Sequence, residues 1–414
     1  MSPAPPSIGL GRTAEAERDT WLDVGAAVPF LLVAFVSLGV ARPRLIQNVT
    51  FTDVLLLALI VTFAVHVVRD ESASDREATR LVLPLSLIFG GSLIASAGVG
   101  LRAFIVDDLV RDLGAFLSFL AVLDILRRSG ERVVRWTLGA AVIGVVTATI
   151  TLVLDPALRG RGTFPNPNLP AHMLACAFLL FAFVPLNRRL RLVLLAVTGV
   201  GLYRTGSFGS ALQLGAGFAY VLVTSVMART RGRERTRIVF FAGMALVVVV
   251  AVLSIASYLG RPEAKEESGL SAARLDKSSD TRFETWGETL GNFADNPFGT
   301  GPGSSRGLGL LKKHTGLPTE AHNEPLSYLA ERGFLGFTGL VLLWVTLWRL
   351  TRPQGAARAL LCGYLLASVF RETLHYRHWW LFLPLAMVLD EQRKDRVQPA
   401  PPETDASPPV VAVR

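Results

Sequence analysis

Charge is scarce in this chain. Only 18% of its 414 residues are Asp, Glu, Lys or Arg, whereas 51% are hydrophobic and 37 more are glycine. Soluble domains carry about 25% charged residues, so a string of soluble domains is excluded. Cysteine is nearly absent as well: Cys176 and Cys362 are the only two, both within apolar runs. Two cysteines build neither a disulfide framework nor a Cys-based metal site, and each reads as a small core-facing residue. The apolar runs are continuous rather than alternating, which removes a membrane β-barrel. The 42 Lys and Arg exceed the 33 Asp and Glu by +9. A nucleic-acid binder gathers such charge on one face or stripe. Here it falls in small clusters between apolar runs, and no nucleic-acid partner is expected.

What is present is a series of runs near the ~20 residues that a helix needs to cross a bilayer. The pattern predicts an all-α, polytopic membrane protein with about 12 transmembrane helices. They are expected near 24–41, 52–68, 81–99, 103–126, 134–154, 169–186, 190–204, 207–228, 238–259, 325–349, 356–370 and 379–391. Residues 1–23 form an N-terminal tail without a signal-peptide layout, so the first run is read as a retained helix. Nine helices fill 24–259, a polar loop covers 260–324, three helices fill 325–391, and 392–414 is a Pro-rich, disordered tail. The boundary at Thr205-Gly206-Ser207 is the weakest, because two helices almost touch there. The fourth helix carries Asp107, Asp108, Arg111 and Asp112 in its first part. Asp107 and Arg111, four residues apart, are expected to neutralise each other.

The connecting charges orient this series. With the N-terminus inside, cytoplasmic loops hold Arg127, Arg128, Arg132 and Arg135, then Arg188, Arg189 and Arg191. They also hold Arg229, Arg231, Arg233, Arg235 and Arg237, and later Arg349, Arg352 and Arg358. The opposite short loops are poorer in arginine, as the positive-inside rule requires. Both termini are therefore expected in the cytoplasm and the 260–324 loop outside it. Most of the basic excess is topology and membrane-lipid contact.

Polar residues near a membrane are functional suspects, and the extracytoplasmic face collects them. Arg159 and Arg161 lie in Arg159-Gly-Arg-Gly-Thr-Phe-Pro-Asn-Pro-Asn168, and Arg204 precedes the eighth helix. Arg282, His314 and His322 are in the long loop, whose Trp286, Phe293 and Phe298 suggest a packed subdomain of short helices. Arg371, Glu372, His375, Arg377 and His378 lie between the last two helices. Their simplest role is interfacial anchoring beside Trp379 and Trp380; the functional alternative is contact with an acceptor or a diphosphate. Asn296-Pro-Phe-Gly-Thr-Gly-Pro-Gly303 has the look of a phosphate-cradling loop, but no strand precedes it and Pro302 interrupts it. A tight turn needing positive φ is the simpler reading. His66 and His172, in apolar runs, read as core residues, and His314 as surface.

Four stretches, taken in order, resemble the O-antigen ligase and polymerase superfamily of glycan-transferring membrane enzymes. They are Arg159 to Asn168, on the pattern R-x-x-G-x-F-x-x-x-N; Thr205-Gly-Ser-Phe-Gly-Ser-Ala211; Arg282 with Trp286 and Asn296 to Gly303; and Ala321-His-Asn323 followed by Glu331-Arg-Gly-Phe-Leu-Gly336. Each motif is loose; their order, spacing and sidedness together are more specific. The resemblance implies transfer of a glycan from a polyprenyl-diphosphate carrier to an acceptor hydroxyl on a glycan or lipid-glycan, outside a bacterial cytoplasmic membrane. It implies neither cofactor, nucleotide nor metal. By position, His322 matches the family's essential histidine and Arg282 its loop arginine. A histidine's ordinary pKa near ~6.5 suits a base at neutral pH. Asn323 would orient the ring or cap the following helix.

One position departs from the family: Phe208 stands where it has a helix arginine. Arg204 is four residues earlier and shares that face if one helix continues through Gly206; it is then the diphosphate-binding replacement, with Arg159 and Arg161 as further candidates. The competing class is a transporter or flippase for a lipid-linked glycan or small anion. That class needs paired charges or broken helices near the midplane. The bias toward Ala, Arg, Gly and Val suggests a GC-rich bacterial genome, where a lipopolysaccharide acceptor need not exist. Polymerase is thereby slightly favoured over ligase.

Overall fold

The computed structural model describes residues 25–39, 44–46, 49–69, 72–100, 102–157, 160–164, 166–229, 272–311 and 321–397. The expected helix at 238–259, residues 1–23 and 398–414 of the two tails, Arg159 and His314 lie outside the described residues, whereas residues 392–397, expected as the start of a disordered tail, continue the last helix. Within them the chain is helical apart from one small antiparallel pair, β1 (Arg44–Ile46) and β2 (Val49–Thr50). It links α1 (Val28–Ser37) to α2 (Phe51–Val68). Then follow α3 (Asp75–Ala97), α4 (Ala103–Arg128), α5 (Gly130–Leu154), α6 (Asn168–Phe183), α7 (Arg188–Thr205) and α8 (Phe208–Arg229). The remainder is α9 (Ala272–Asp295), the single turn α10 (Ser304–Gly307), α11 (Glu324–Leu350), α12 (Ala356–Ser368) and α13 (Arg377–Val397).

Among the described residues, α2, α3, α5 and α11 are long and apolar enough to cross a membrane. Their outward faces carry large apolar side chains: Leu57 and Val61 on α2, Val82 and Leu83 on α3, Ile143 and Ile150 on α5. A soluble bundle would put polar residues there. α4 is 26 residues long, but charges at both ends lower its apolar character. It exists as one continuous helix despite its acidic first turns.

The centre of the bundle is α13, buried from His378 to Asp390 and packed against α4, α5, α6 and α12. Trp380 meets the rings of Phe116 (5.1 Å) and Phe119 (6.1 Å), and Trp379 stacks on Tyr364 at 4.3 Å. These two tryptophans were expected as interfacial anchors. They are core residues instead, because α13 is enclosed by neighbours rather than facing lipid. Lipid tails are as apolar as side chains, so helix association in a membrane relies on close packing at small residues. α3 and α11 meet in this way. A Cβ on Gly91 would lie 2.5 Å from Gly336 N, and one on Gly339 would lie 2.7 Å from Ile88 N.

Arginines tie off helix ends. The last carbonyls of a helix have no partner within it, and cations are favourable there. Arg191 donates to Val184 O (3.1 Å), at the end of α6. Buried Arg358 donates to the Thr351 side chain (3.2 Å) after α11, and Arg352 crosses to Asp390 O (2.7 Å) inside α13. Arg127 joins Glu77 and Glu391, each at 2.7 Å. These arginines therefore hold helices together in addition to any part in topology.

Candidate functional site

The candidate site is built around the start of α11. Asn323 caps the helix, its Oδ1 accepting from Leu326 N at 3.0 Å. Glu324, buried behind it, accepts from Tyr364 Oη (3.0 Å), Thr373 Oγ1 (3.0 Å) and Leu374 N (2.8 Å). That carboxylate fastens the loop after α12 onto α11. From the other side, Trp286 of α9 donates its indole N–H to Ala321 O (3.0 Å) and packs against Phe370 (ring centroids 6.4 Å). His322 lies between these two anchors, with its side chain exposed and its backbone at φ +50°. The left-handed region costs a non-glycine residue about 1–2 kcal/mol, and such outliers concentrate at functional sites. Position 282 lies one turn before Trp286 on α9, on the same helix face. α9 spans 24 residues, where only short helices were expected.

The glycine-rich loop has a structural use. Gly299, Gly301 and Gly303 all adopt positive φ (+91°, +94° and +67°), so the tight-turn reading holds. The loop docks where α11 breaks at Gly333 (φ 64°, ψ −173°). Thr300 N and Gly301 N donate to the carbonyls of Ala330 (3.1 Å) and Glu331 (2.8 Å), and Phe334 N donates to Pro297 O (3.2 Å). The Glu331 carboxylate accepts from Gly303 N (2.8 Å) and Ser305 N (3.0 Å). The anion facing these amides is therefore the protein's own. A Cβ on Gly333 would lie 2.4 Å from the Phe298 carbonyl carbon, so only glycine fits at the break.

Beside the break, charges from three elements converge. Arg332, 2% exposed, pairs with Asp112 (2.6 Å; 0% exposed) and reaches Asp108 (3.5 Å) and Ser92 Oγ (2.8 Å). Its guanidinium lies 4.5 Å from the Tyr328 ring centroid. His375 Nε2 meets the other Asp112 oxygen at 2.9 Å, with 25% of its side chain exposed. Two carboxylates thus face one arginine and one histidine. Burial pulls the His375 pKa down, but the hydrogen bond and charge of Asp112, with Asp108 behind, outweigh both burial and Arg332 and raise it to about 9. A pKa raised on folding stabilises the folded state fully below the unfolded value near ~6.5, and this is lost as pH rises through about 9. The unfolding midpoint is accordingly expected to fall between about pH 7 and pH 10. His375→Gln should flatten that slope; an unchanged slope would dissociate His375 from it. Asp107 and Arg111 neutralise each other at 2.6 Å, as expected from their spacing.

A second corner forms where α5 ends and α7 ends. Asp155 accepts from the backbone N–H groups of Ala157 (3.0 Å), Arg161 (2.8 Å) and Gly162 (2.8 Å), which hold its carboxyl below the usual range. Arg161 is exposed. Arg204 donates to the carbonyls of Leu152 (3.3 Å), Asp155 (2.5 Å) and Ala157 (3.3 Å), while its own carbonyl accepts from Gly160 N (2.8 Å). The condition placed on Arg204 is not met. Gly206 takes the left-handed conformation (φ 56°) and ends α7, so no continuous helix joins Arg204 to position 208. Arg204 instead clasps the loop that carries Arg161.

The basic residues of the last loop also find internal partners. Arg377 pairs with Asp53 (2.6 Å), His375 with Asp112, and His378 with His172 (2.8 Å). The sequence marks Asp108 and Asp112 as charges inside an apolar helix and contains Arg332 in the motif Glu331-Arg-Gly, but nothing local pairs them, since they lie more than 200 residues apart. Glu324 carries no sequence signal at all.

An all-helical, multi-pass membrane protein whose polar site gathers at a broken helix and the loops beside it is the class defined here. Residues 192–341 match the family model described as O-antigen ligase, a similarity that agrees with the resemblance to the O-antigen ligase and polymerase superfamily. The matched segment contains three of the four resembling stretches and excludes the Arg159–Asn168 loop. No curated protein matches the chain.

Proposed function

We propose that this chain transfers a glycan from a polyprenyl-diphosphate carrier to an acceptor hydroxyl at the extracytoplasmic face of a bacterial cytoplasmic membrane. The observation that carries this reading is His322: exposed, in a left-handed backbone conformation, held between two anchored neighbours, inside the segment matched to O-antigen ligases. In the proposed reaction the acceptor oxygen attacks the anomeric carbon and the bond to the diphosphate breaks. The bonding pair leaves with the diphosphate, and His322 takes the hydroxyl proton. Arg282, Arg161 and Arg159 bind the diphosphate as its charge grows. Asn323 supports His322 by fixing the helix start. Arg204 serves the same site by holding the arginine-bearing loop. The proposed frame is the twelve-span one, with 1–23 and 392–414 in the cytoplasm and 260–324 outside. No nucleotide or metal takes part in the proposed transfer.

The test is reconstitution of the full chain with a lipid-linked oligosaccharide and a candidate acceptor, without nucleotide or divalent metal. Longer lipid-linked chains mean a polymerase, the slightly favoured outcome; release onto a different acceptor means a ligase. Equal transfer by wild type and His322→Ala would remove His322 from the mechanism. Arg204→Ala is expected to lower transfer by freeing the 155–162 loop, and an unchanged rate would detach that corner from the site.

A transporter or flippase remains the second reading, because α11 is broken at Gly333 beside the buried Arg332–Asp112 pair. Against it, the break is filled by the 297–303 loop and the charges are mutually paired. Flux of a lipid-linked glycan across vesicles, without any transfer, would decide for it.

A further inference from the structure

A second cluster lies beneath the last loop. His172 and Cys176 are one turn apart on α6, and His378 meets them from the first turn of α13. They are 2%, 0% and 1% exposed. His172 Nδ1 is 2.8 Å from His378 Nε2 and 3.8 Å from Cys176 Sγ, and all three donor atoms fall within 4.8 Å of one another. Gln213 of α8 donates to Cys176 Sγ at 3.1 Å, and its Oε1 is buried without a hydrogen-bond partner. Tyr376 covers both histidines, at 5.3 and 5.4 Å between centroids.

We propose that His172, Cys176 and His378 form a binding site for one soft monovalent cation of the copper(I) type, with Gln213 beside it. The i, i+4 spacing on α6 puts an imidazole and a thiol on one helix face, and His378 completes a three-donor N₂S set. Thiolate and imidazole together suit a soft d¹⁰ ion. Metal–nitrogen bonds of ~2.0 Å and metal–sulfur bonds of ~2.3 Å separate trigonal ligands by about 3.5–3.8 Å. The His172 nitrogen and the sulfur already have that spacing, the His378 nitrogen lies within 4.8 Å of the sulfur, and the two nitrogens need to part by about 0.7 Å. Charge selects the ion. A thiolate with a monovalent cation is neutral, whereas a divalent ion leaves a positive charge in an apolar core with no carboxylate in the cluster. On binding, the Cys176 proton leaves to solvent and the bridging imidazole hydrogen moves to a nitrogen that does not coordinate. No electron is transferred. The ion would pin α6 to α13 under the loop that Glu324 anchors, outside the transfer chemistry. Composition argued against a cysteine-based site; the fold supplies the missing ligands from residues about 200 positions apart.

The full chain carrying Cys362→Ser, purified in detergent, is titrated with Ag⁺ as a redox-inert probe, then desalted and analysed by mass spectrometry. The expected result is about one Ag⁺ retained per chain, about one proton released per ion, and a raised unfolding midpoint. Cys176→Ala and His378→Gln should each reduce retention at least ~10-fold while the apo protein still unfolds cooperatively. Retention that is absent in the Cys362→Ser protein, or undiminished in both variants, overturns the site. Stoichiometric Zn²⁺ without Ag⁺ overturns the charge assignment. None of these readouts depends on glycan transfer.

Discussion

His322→Ala is expected to reduce glycan transfer by about 10²–10⁴-fold, the contribution typical of a positioned general base, without lowering the unfolding midpoint. The side chain is exposed, so its removal opens no cavity. The fixed parts of this turn are its neighbours: Ala321 through Trp286, and Asn323 through the helix cap. Alanine is uncomfortable at φ +50°, so His322→Asn is the companion variant. Asparagine visits the left-handed region readily but is no base at neutral pH. Both variants should lose transfer alike and retain the lipid-linked donor. An active Asn variant would mean that the histidine shapes the turn and takes no proton. Lost donor binding in both would assign it to substrate contact instead.

Arg332→Met is expected to destabilise the folded protein by about 3–5 kcal/mol, the cost of breaking one side of a buried ion pair. Asp112 is wholly buried and would keep only His375 and a long contact from Tyr328 (3.5 Å) against its charge. Asp108 would lose a cation as well. Thermal or denaturant unfolding in detergent reads this directly. Adding Asp112→Asn to Arg332→Met should recover part of the loss, since the unpaired charge is then gone. A change below about 1 kcal/mol for the single variant would mean that water reaches the pair and screens it. The two readings of the break also separate here. In a scaffold, Arg332→Met lowers stability first and transfer in proportion. In a transporter it would abolish flux from protein that remains well folded.

The helices were legible because a membrane segment must satisfy its own backbone and be apolar over its whole length. Expected and observed boundaries agree within a few residues for α2, α4 and α11. The doubtful junction at Thr205-Gly206-Ser207 is a true break, sealed by the left-handed Gly206. His322 and Asn323 were legible because they are adjacent and precede an apolar run. For Arg204 the sequence left the geometry conditional on Gly206, and the helix cap one residue beyond Thr205 decides which face the arginine shares. Trp379 and Trp380 were misread as anchors. Tryptophan reads the same at an interface and in a core, and only the ring of helices around α13 distinguishes them.

The sequence by itself determined that this is a membrane protein of apolar helices, with its polar residues concentrated in connections. Scarcity of charge leaves no other way to fold, and local order is set by local rules. Only the tertiary structure decided what those polar residues do. It assigned the glycine loop to a helix break, Arg204 to the carbonyls at and just after the end of α5, and Arg332 to two carboxylates on α4. It also brought two histidines and a cysteine together from α6 and α13. Long-range pairing is fixed by packing between helices, and no period or motif along the chain records it.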